Sequence, residues 1–193
     1  MNNFMEKRVA QLFRQLEFIP DRMEKFWNIP PQTGVFLNML VKAMKCRKVL
    51  EVGTSNGYSG LWLAEALSHT GGKLYTVESN RERFVLAEKN FKAAGLTGFI
   101  EQFFGHAPEI FSTSAFCARR MKFDFIFIDA TKMEYASYLK ALLPFLKPGG
   151  VLVADNAISH RTELGSFFAF LEKAHSLQSA LLPIGSGLMM SLK

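Results

Sequence analysis

A chain of 193 residues, 49% hydrophobic and 21% charged, is long enough to bury a full core and too apolar for disorder. Its formal net charge of +6 allows an anionic partner such as RNA or a phosphorylated substrate, without requiring one. No apolar run is long enough for a bilayer, and "MNNFMEKRVAQLFRQ" carries charges where a signal peptide needs an apolar stretch, so a cytoplasmic location is expected.

Residues 1–47 read as a helical cap segment and 48–193 as an α/β core, together one domain. The cap holds "MEKRVAQLFRQLEFI", then "DRMEKFWNI" after Pro20. Pro30 and Pro31 break the chain, and Pro31 suits the first turn of a helix "QTGVFLNMLVKAMK". Val35, Leu37, Met39, Leu40, Val41 and Met44 are expected on or near one face of that helix. From residue 48, short strands alternate with helices. "KVLEV" precedes helix "YSGLWLAEALSH", and "KLYTVE" precedes "NRERFVLAEKNFKAAG", which stops at Gly95. "GFIEQFF" precedes a helical "APEIFSTSAFCARR", and "FDFIFID" precedes "EYASYLKALLPFL" and a "KPGG" turn. "VLVAD" and helix "RTELGSFFAFLEKAHS" lead to a hairpin of "SALLPI" and "GLMMSLK" around "GSG". Strands separated by helices predict right-handed parallel crossovers. The expected fold is a doubly wound three-layer αβα sandwich. Its mostly parallel sheet has seven strands, one of them antiparallel. Cys46 and Cys117 lack metal or redox spacing and read as reduced thiols or packing residues.

Acidic residues collect where the strands end. Glu51 precedes the glycine turn "EVGTSNGYSG", Glu78 ends strand two, Asp129 ends strand four, and Asp155 with Asn156 ends strand five. An open α/β sheet binds ligands at that edge. The turn is G-x-x-x-G-x-x-G, not the dinucleotide G-x-G-x-x-G, which weakens a nicotinamide reading. Glu78, about twenty residues on, stands where an acid accepts hydrogen bonds from ribose hydroxyls. The plainer reading makes Gly53 and Gly57 a tight turn and Glu78 a solvated strand end. If strands four and five are neighbours, about 4.8 Å apart, Asp129 and Asp155 can share a cation, with the Asn156 carbonyl as a third oxygen. Such a set favours a hard ion, Mg²⁺ before Mn²⁺ or Ca²⁺. The plainer alternative is an ordinary Asp-Asn turn and a helix cap. Asp124 lies at the other end of its strand and reads as structural.

These segments resemble the cation-dependent class I S-adenosylmethionine O-methyltransferases of the catechol and caffeoyl-CoA type. Glu51-x-Gly53-x-x-x-Gly57 is similar to their motif I. "GVFLNMLVKAM", "NGYSGLWLAEAL", "FDFIFIDATKMEYASYLKALLPFLKPGG" and "VLVADN" extend the likeness from about residue 30 to the C-terminus. The resemblance implies a Rossmann-like methyltransferase fold. It also implies S-adenosylmethionine held by Glu51, Gly53, Ser55, Gly57, Ser59, Glu78, Ala107 and Asp129. A divalent cation would be held by Asp129, Asp155 and Asn156, with Asp129 and Lys132 catalytic and Lys132 the general base. A nearby cation disfavours the ammonium form of a lysine, which helps it accept a proton. The substrate implied is a small molecule with vicinal hydroxyls, and a homodimer is expected. After Asn156, "AISHRTELGSFF" is shorter than the plant-type segment and lacks its tryptophan, and the acid that helps hold catechol has no counterpart. His106 is either an adenine neighbour or a surface residue, and His160 either faces the substrate or is merely exposed. The same chemistry on a hydroxylated tRNA nucleoside is the second reading. An NAD(P)-binding oxidoreductase is the rival from another class.

Overall fold

A computed structural model describes residues 3–17, 28–113 and 121–193. Most of "DRMEKFWNI", the second half of "APEIFSTSAFCARR" and Cys117 lie outside the described residues. Helix α1 (Asn3–Glu17) puts Val9, Leu12 and Phe13 inward at helical spacing. The Phe13 ring stacks on Trp62, centroids 4.0 Å apart. Helix α2 (Pro31–Ala43) starts at Pro31 as expected, and of the expected face Leu37 and Val41 are buried and Leu40 and Met44 pack against the core, while two members fall off it. Thr33, Gly34, Leu37, Asn38 and Val41 point inward, while Val35 and Met39 are exposed, Met39 by 64%. Steps of three and four from residue 34 define the inner face, and residues 35 and 39 fall off it. Asn38 is tolerated there because its amide donates to Trp62 O at 2.9 Å and Glu65 Oε2 at 2.6 Å.

The sheet comprises β1 (Lys48–Val52), β2 (Lys73–Glu78), β3 (Ile100–Phe104), β4 (Phe123–Ile128), β5 (Leu146–Ala154), β6 (Gln178–Leu182) and β7 (Leu188–Leu192). Their order is β3-β2-β1-β4-β5-β7-β6, with only β7 antiparallel to its neighbours. Helices α3 (Tyr58–Thr70), α4 (Arg81–Ala94), α5 (Tyr135–Leu142) and α6 (Gly165–Lys173) connect the strands. Strand alternation splits the core in two. Val49, Phe125, Phe127, Val151 and Val153 pack with residues of α1–α4, while Leu50, Ile126, Ile128 and Leu152 pack with residues of α5 and α6. Both faces are covered, which explains the unbroken apolar run of β4.

Three local expectations shift. After β3 only a short 3₁₀ turn, Glu109–Ser112, is described in place of a long helix. "KPGG" lies inside the span of β5, where a register shift against Phe123 and Phe125 absorbs Gly149 at φ +75°. The last helix begins at Gly165 rather than Arg161, because residues 157–164 turn to meet the hairpin backbone. Cys46 is a packing residue: it is fully buried and its thiol is pushed up to about 12, chiefly by desolvation. Among the described residues no helix is long and apolar enough to cross a membrane.

Asp124 does sit at the far end of the sheet, where it ties three segments together. Its Oδ2 accepts from the backbone N–H of Arg47 and of Lys48, each at 2.8 Å, and its Oδ1 pairs with Lys147. Asp124→Ala leaves two N–H groups without their acceptor and should lower stability by about 1–3 kcal/mol in urea unfolding. S-adenosylmethionine affinity should stay at the wild-type level, and a matching loss of affinity would contradict the assignment of Asp124 to the opposite edge.

Candidate functional site

Register places the candidate residues. Val52 lies level with Ile128, and Ile128 with Ala154, so the next residues out of β1, β4 and β5 are Gly53, Asp129 and Asp155. The ladder runs one bond further on: Asp129 N donates to Val52 O at 2.9 Å and Asp155 N to Ile128 O at 3.0 Å. Strand order reverses between β1 and β4, the switch point where α/β sheets open a crevice. A cleft of about 750 Å³ opens there, lined among others by Gly53, Ser55, Glu78, Ala107, Asp129, Lys132, Asp155 and Asn156.

Gly53 has φ +97°, and a Cβ there would lie 2.1 Å from Asp129 O. Only glycine lets β1 turn this close to β4. Glu78 is held by backbone on both oxygens: Ser55 N donates to Oε2 and Asn80 N to Oε1, each at 2.8 Å. A carboxylate oxygen accepts more than one hydrogen bond, so Glu78 keeps acceptor capacity toward the cleft. Ala107 is buried and lines the wall.

Glu51, Gly57 and Ser59 do not line the cleft; they lie beneath its glycine turn. Glu51 is fully buried and accepts from Ser59 Oγ and Thr76 Oγ1, each at 2.6 Å. Desolvation pushes its carboxyl up to about 7. Gly57, at φ +87°, opens α3 at the N-cap, where a side chain would meet the Phe91 ring.

Asp129 and Lys132 are paired, Nζ donating to Oδ1 at 2.8 Å, and Lys132 also lies 5.5 Å from the Tyr135 ring centroid. Asp155 is 2% exposed, and its Oδ1 has no hydrogen-bond partner among the described residues. Its pKa is raised, first by desolvation and then by the charge of Asp129. Asn156 follows in the left-handed region at φ +63°. Asp129, Asp155 and Asn156 thus meet at one wall with only oxygen donors. Among the described residues no three His, Cys, Asp or Glu side chains form a metal cluster; this set has two carboxylates and an amide. An unpartnered buried carboxylate oxygen next to a second carboxylate fits a hard divalent cation.

His106 lines the cleft yet is half exposed. Its ring bonds Glu109 at 2.7 Å and Glu134 at 3.4 Å, and these partners, Glu109 first, raise its pKa. Sequence reasoning missed Thr76, Arg83, Tyr138 and Ser186. Thr76 had a signal, a polar residue at an inward strand position. Ser186 had none, because only the β6–β7 hairpin carries it to the cleft.

The buried Glu51 has a consequence for stability. The folded chain holds a proton that the unfolded chain releases. That contribution is full below the unfolded value of 4.5 and is lost as pH rises through about 7. Glu51→Gln removes it. The unfolding free energy of wild type relative to Glu51→Gln should therefore fall by about 3 kcal/mol between pH about 4 and about 8. Urea titrations across that range check it, and a flat difference would contradict the buried carboxyl.

The O-methyltransferase family model matches residues 9–166. The catechol O-methyltransferase of Niastella koreensis is 36% identical over 135 residues, covering 68% of this chain and 58% of its own length. Caffeoyl-CoA O-methyltransferase 1 of Eucalyptus globulus is 36% identical over 135 residues, covering 68% of this chain and 54% of its own length. The match thus spans little more than half the length of these curated relatives. Among solved structures, the O-methyltransferase of Bacillus cereus in complex with SAH superposes with a TM-score of 0.79 at 26% identity, covering 100% of this chain and 92% of that one. TomG of Streptomyces achromogenes, an O-methyltransferase involved in tomaymycin synthesis and solved in complex with SAM, gives 0.77 at 27% identity, covering 100% and 90%. With the glycine turn, Glu78 and the acidic strand ends in one cleft, the chain belongs to the O-methyltransferase family.

Proposed function

We propose that this chain transfers a methyl group from S-adenosylmethionine to one hydroxyl of a small vicinal diol of catechol type, and that it needs a divalent cation to do so. One observation carries the cation: the buried Oδ1 of Asp155, without a partner among the described residues, beside the Asp129 carboxylate. Two neighbouring carboxylates repel, and in an apolar surrounding the cost of leaving one oxygen unpaired is high. In support of the methyl donor stand the solved relatives with SAM or SAH bound and the geometry of Gly53 and Glu78.

Asp129, Asp155 and Asn156 would hold the cation, and Glu78 would accept from the ribose hydroxyls. Gly53 and Ser55 would let the donor approach the backbone. Glu51 and Ser59 act from below, fixing the turn. When bound, the cation makes a substrate hydroxyl acidic enough to ionise near neutral pH, and the donor supplies an electrophilic methyl. A cation held by Asp129 would disfavour the ammonium form of Lys132, and once that proton had passed to solvent the neutral Nζ would be placed to take the hydroxyl proton. Most of the acceleration comes from lining up the oxygen with the methyl carbon and its sulfur, which the rigid strand ends favour.

Purified protein with S-adenosylmethionine, Mg²⁺ and a panel of catechols should release S-adenosylhomocysteine. Chelator should stop it, and added Mg²⁺ restore it. Turnover indifferent to chelator would sink the cation, and turnover on bulk tRNA but on no catechol would replace the substrate. Asp155→Ala should abolish turnover and leave S-adenosylmethionine affinity nearly intact in calorimetry. Loss of both together would mean that the cation and cofactor residues are misassigned. Lys132→Met should lower kcat by about 100-fold or more at unchanged cofactor affinity, in line with loss of a general base; a change confined to KM would make Lys132 a binding residue instead.

A further inference from the structure

Asn156 is the weakest member of the candidate cation set, because an amide carries no charge and can present either its oxygen or its nitrogen. Its backbone is fixed. Asp155 N is bonded to Ile128 O, and Ala157 N donates to Gly187 O at 2.8 Å. Ile158 N and Ser159 N both donate to Ser186 O, at 3.2 and 3.0 Å, and His160 N returns to Asn156 O at 2.9 Å. Gly187, at φ +88°, lets the loop press on the hairpin; a Cβ there would lie 2.6 Å from Ile158 N. What the backbone leaves free is the rotation of the Asn156 side chain.

Two side chains take up that freedom. Asn156 Nδ2 donates to Ser159 Oγ at 3.3 Å, and Ser159 Oγ lies 2.9 Å from His160 Nδ1. Hydrogen accounting gives the Asn156 end of the relay a direction. The amide nitrogen has only protons to offer, so Ser159 Oγ accepts from it. Ser159 Oγ keeps one proton and a second lone pair, so its contact with His160 Nδ1 is a hydrogen bond in either ring tautomer. With the nitrogen committed to Ser159, the oxygen of Asn156 is the atom left for the cleft. All three residues line that cleft.

We propose that Ser159 and His160 are positioning residues that hold the Asn156 amide oxygen toward the cation. This rests on the cation reading of Asp129, Asp155 and Asn156. Partners behind a metal ligand fix its orientation and commonly change metal affinity by about 10–100-fold. The Asn156 bond is long and the loop is exposed, which sets the expectation at the low end of that range.

The test is Mn²⁺ binding to the whole chain, followed by electron paramagnetic resonance without substrate or methyl donor. Ser159→Ala should raise the Mn²⁺ Kd about tenfold, and His160→Ala should raise it less but in the same direction. His160→Asn, whose amide offers either an acceptor or a donor near the place of Nδ1, should stay near the wild-type value. S-adenosylmethionine affinity should be unchanged in all three, which also shows that they fold. Wild-type Mn²⁺ affinity in Ser159→Ala, while Asp155→Ala has lost binding, would overturn the relay and leave the cation site standing. No Mn²⁺ binding by the wild-type chain, or undiminished binding by Asp155→Ala, would overturn both.

Discussion

The parallel register that sets Val52, Ile128 and Ala154 level is the constraint on which the cleft depends. A strand slipped by one residue would turn Asp129 or Asp155 to the opposite face. Register is protected because the central strands are buried on both sides, with Phe125 and Phe127 in one layer and Ile126 and Ile128 in the other. The same alignment makes Gly53 necessary, since β1 must leave the sheet within contact distance of the Asp129 carbonyl. At the far end, Asp124 holds the backbone just before and at the start of β1, which keeps the two ends of the sheet chemically distinct.

Gathering carboxylates at one edge is costly, and the chain treats each differently. Glu51 is enclosed by two hydroxyls and stays easily protonated. Glu78 is held as an acceptor by two backbone N–H groups. Asp129 has Lys132 as its counter-charge. For Asp155 Oδ1 no protein group among the described residues fills that role. The four environments range from fully compensated to open, and the open one faces the cleft. That gradient is a physical reason to expect a cation at Asp155 and not at Glu51.

Much of this was legible in the sequence because it follows from period and position. Alternation of "KVLEV", "KLYTVE", "FDFIFID" and "VLVAD" with helices specifies the parallel sheet, and strand ends specify the edge where Glu78, Asp129 and Asp155 meet. Sequence could not separate residues that line the cleft from those one layer below. Glu51 and Ser59 share a motif with Gly53 and Ser55, yet the turn puts the first pair under the floor. Nor could it find contacts made by distant segments: Ser186 reaches the site through a hairpin whose pairing is set by β5, some thirty residues earlier. The face of α2 was drawn too wide because hydrophobic residues outnumber buried positions. Polar Thr33 and Asn38 point inward, while Val35 and Met39 point out.

The unpaired Asp155 also bears on how stability and activity are divided. A buried carboxylate oxygen with no partner among the described residues weakens the fold, and whatever binds the native state alone returns that free energy as affinity. The neighbouring segments are the reverse of loose: the 157–160 loop is pinned to Gly187 and Ser186, and β5 is central in the sheet. A rigid frame leaves little room to rotate such a charge away, and the carboxyl instead holds its proton more tightly, as the raised pKa of Asp155 states. On the proposed reading, a cation would take the place of that proton and order Asp129, Asp155 and Asn156 before a substrate arrives. On the same reading, Lys132, the counter-ion of Asp129, would become a proton acceptor only where a cation takes over that carboxylate.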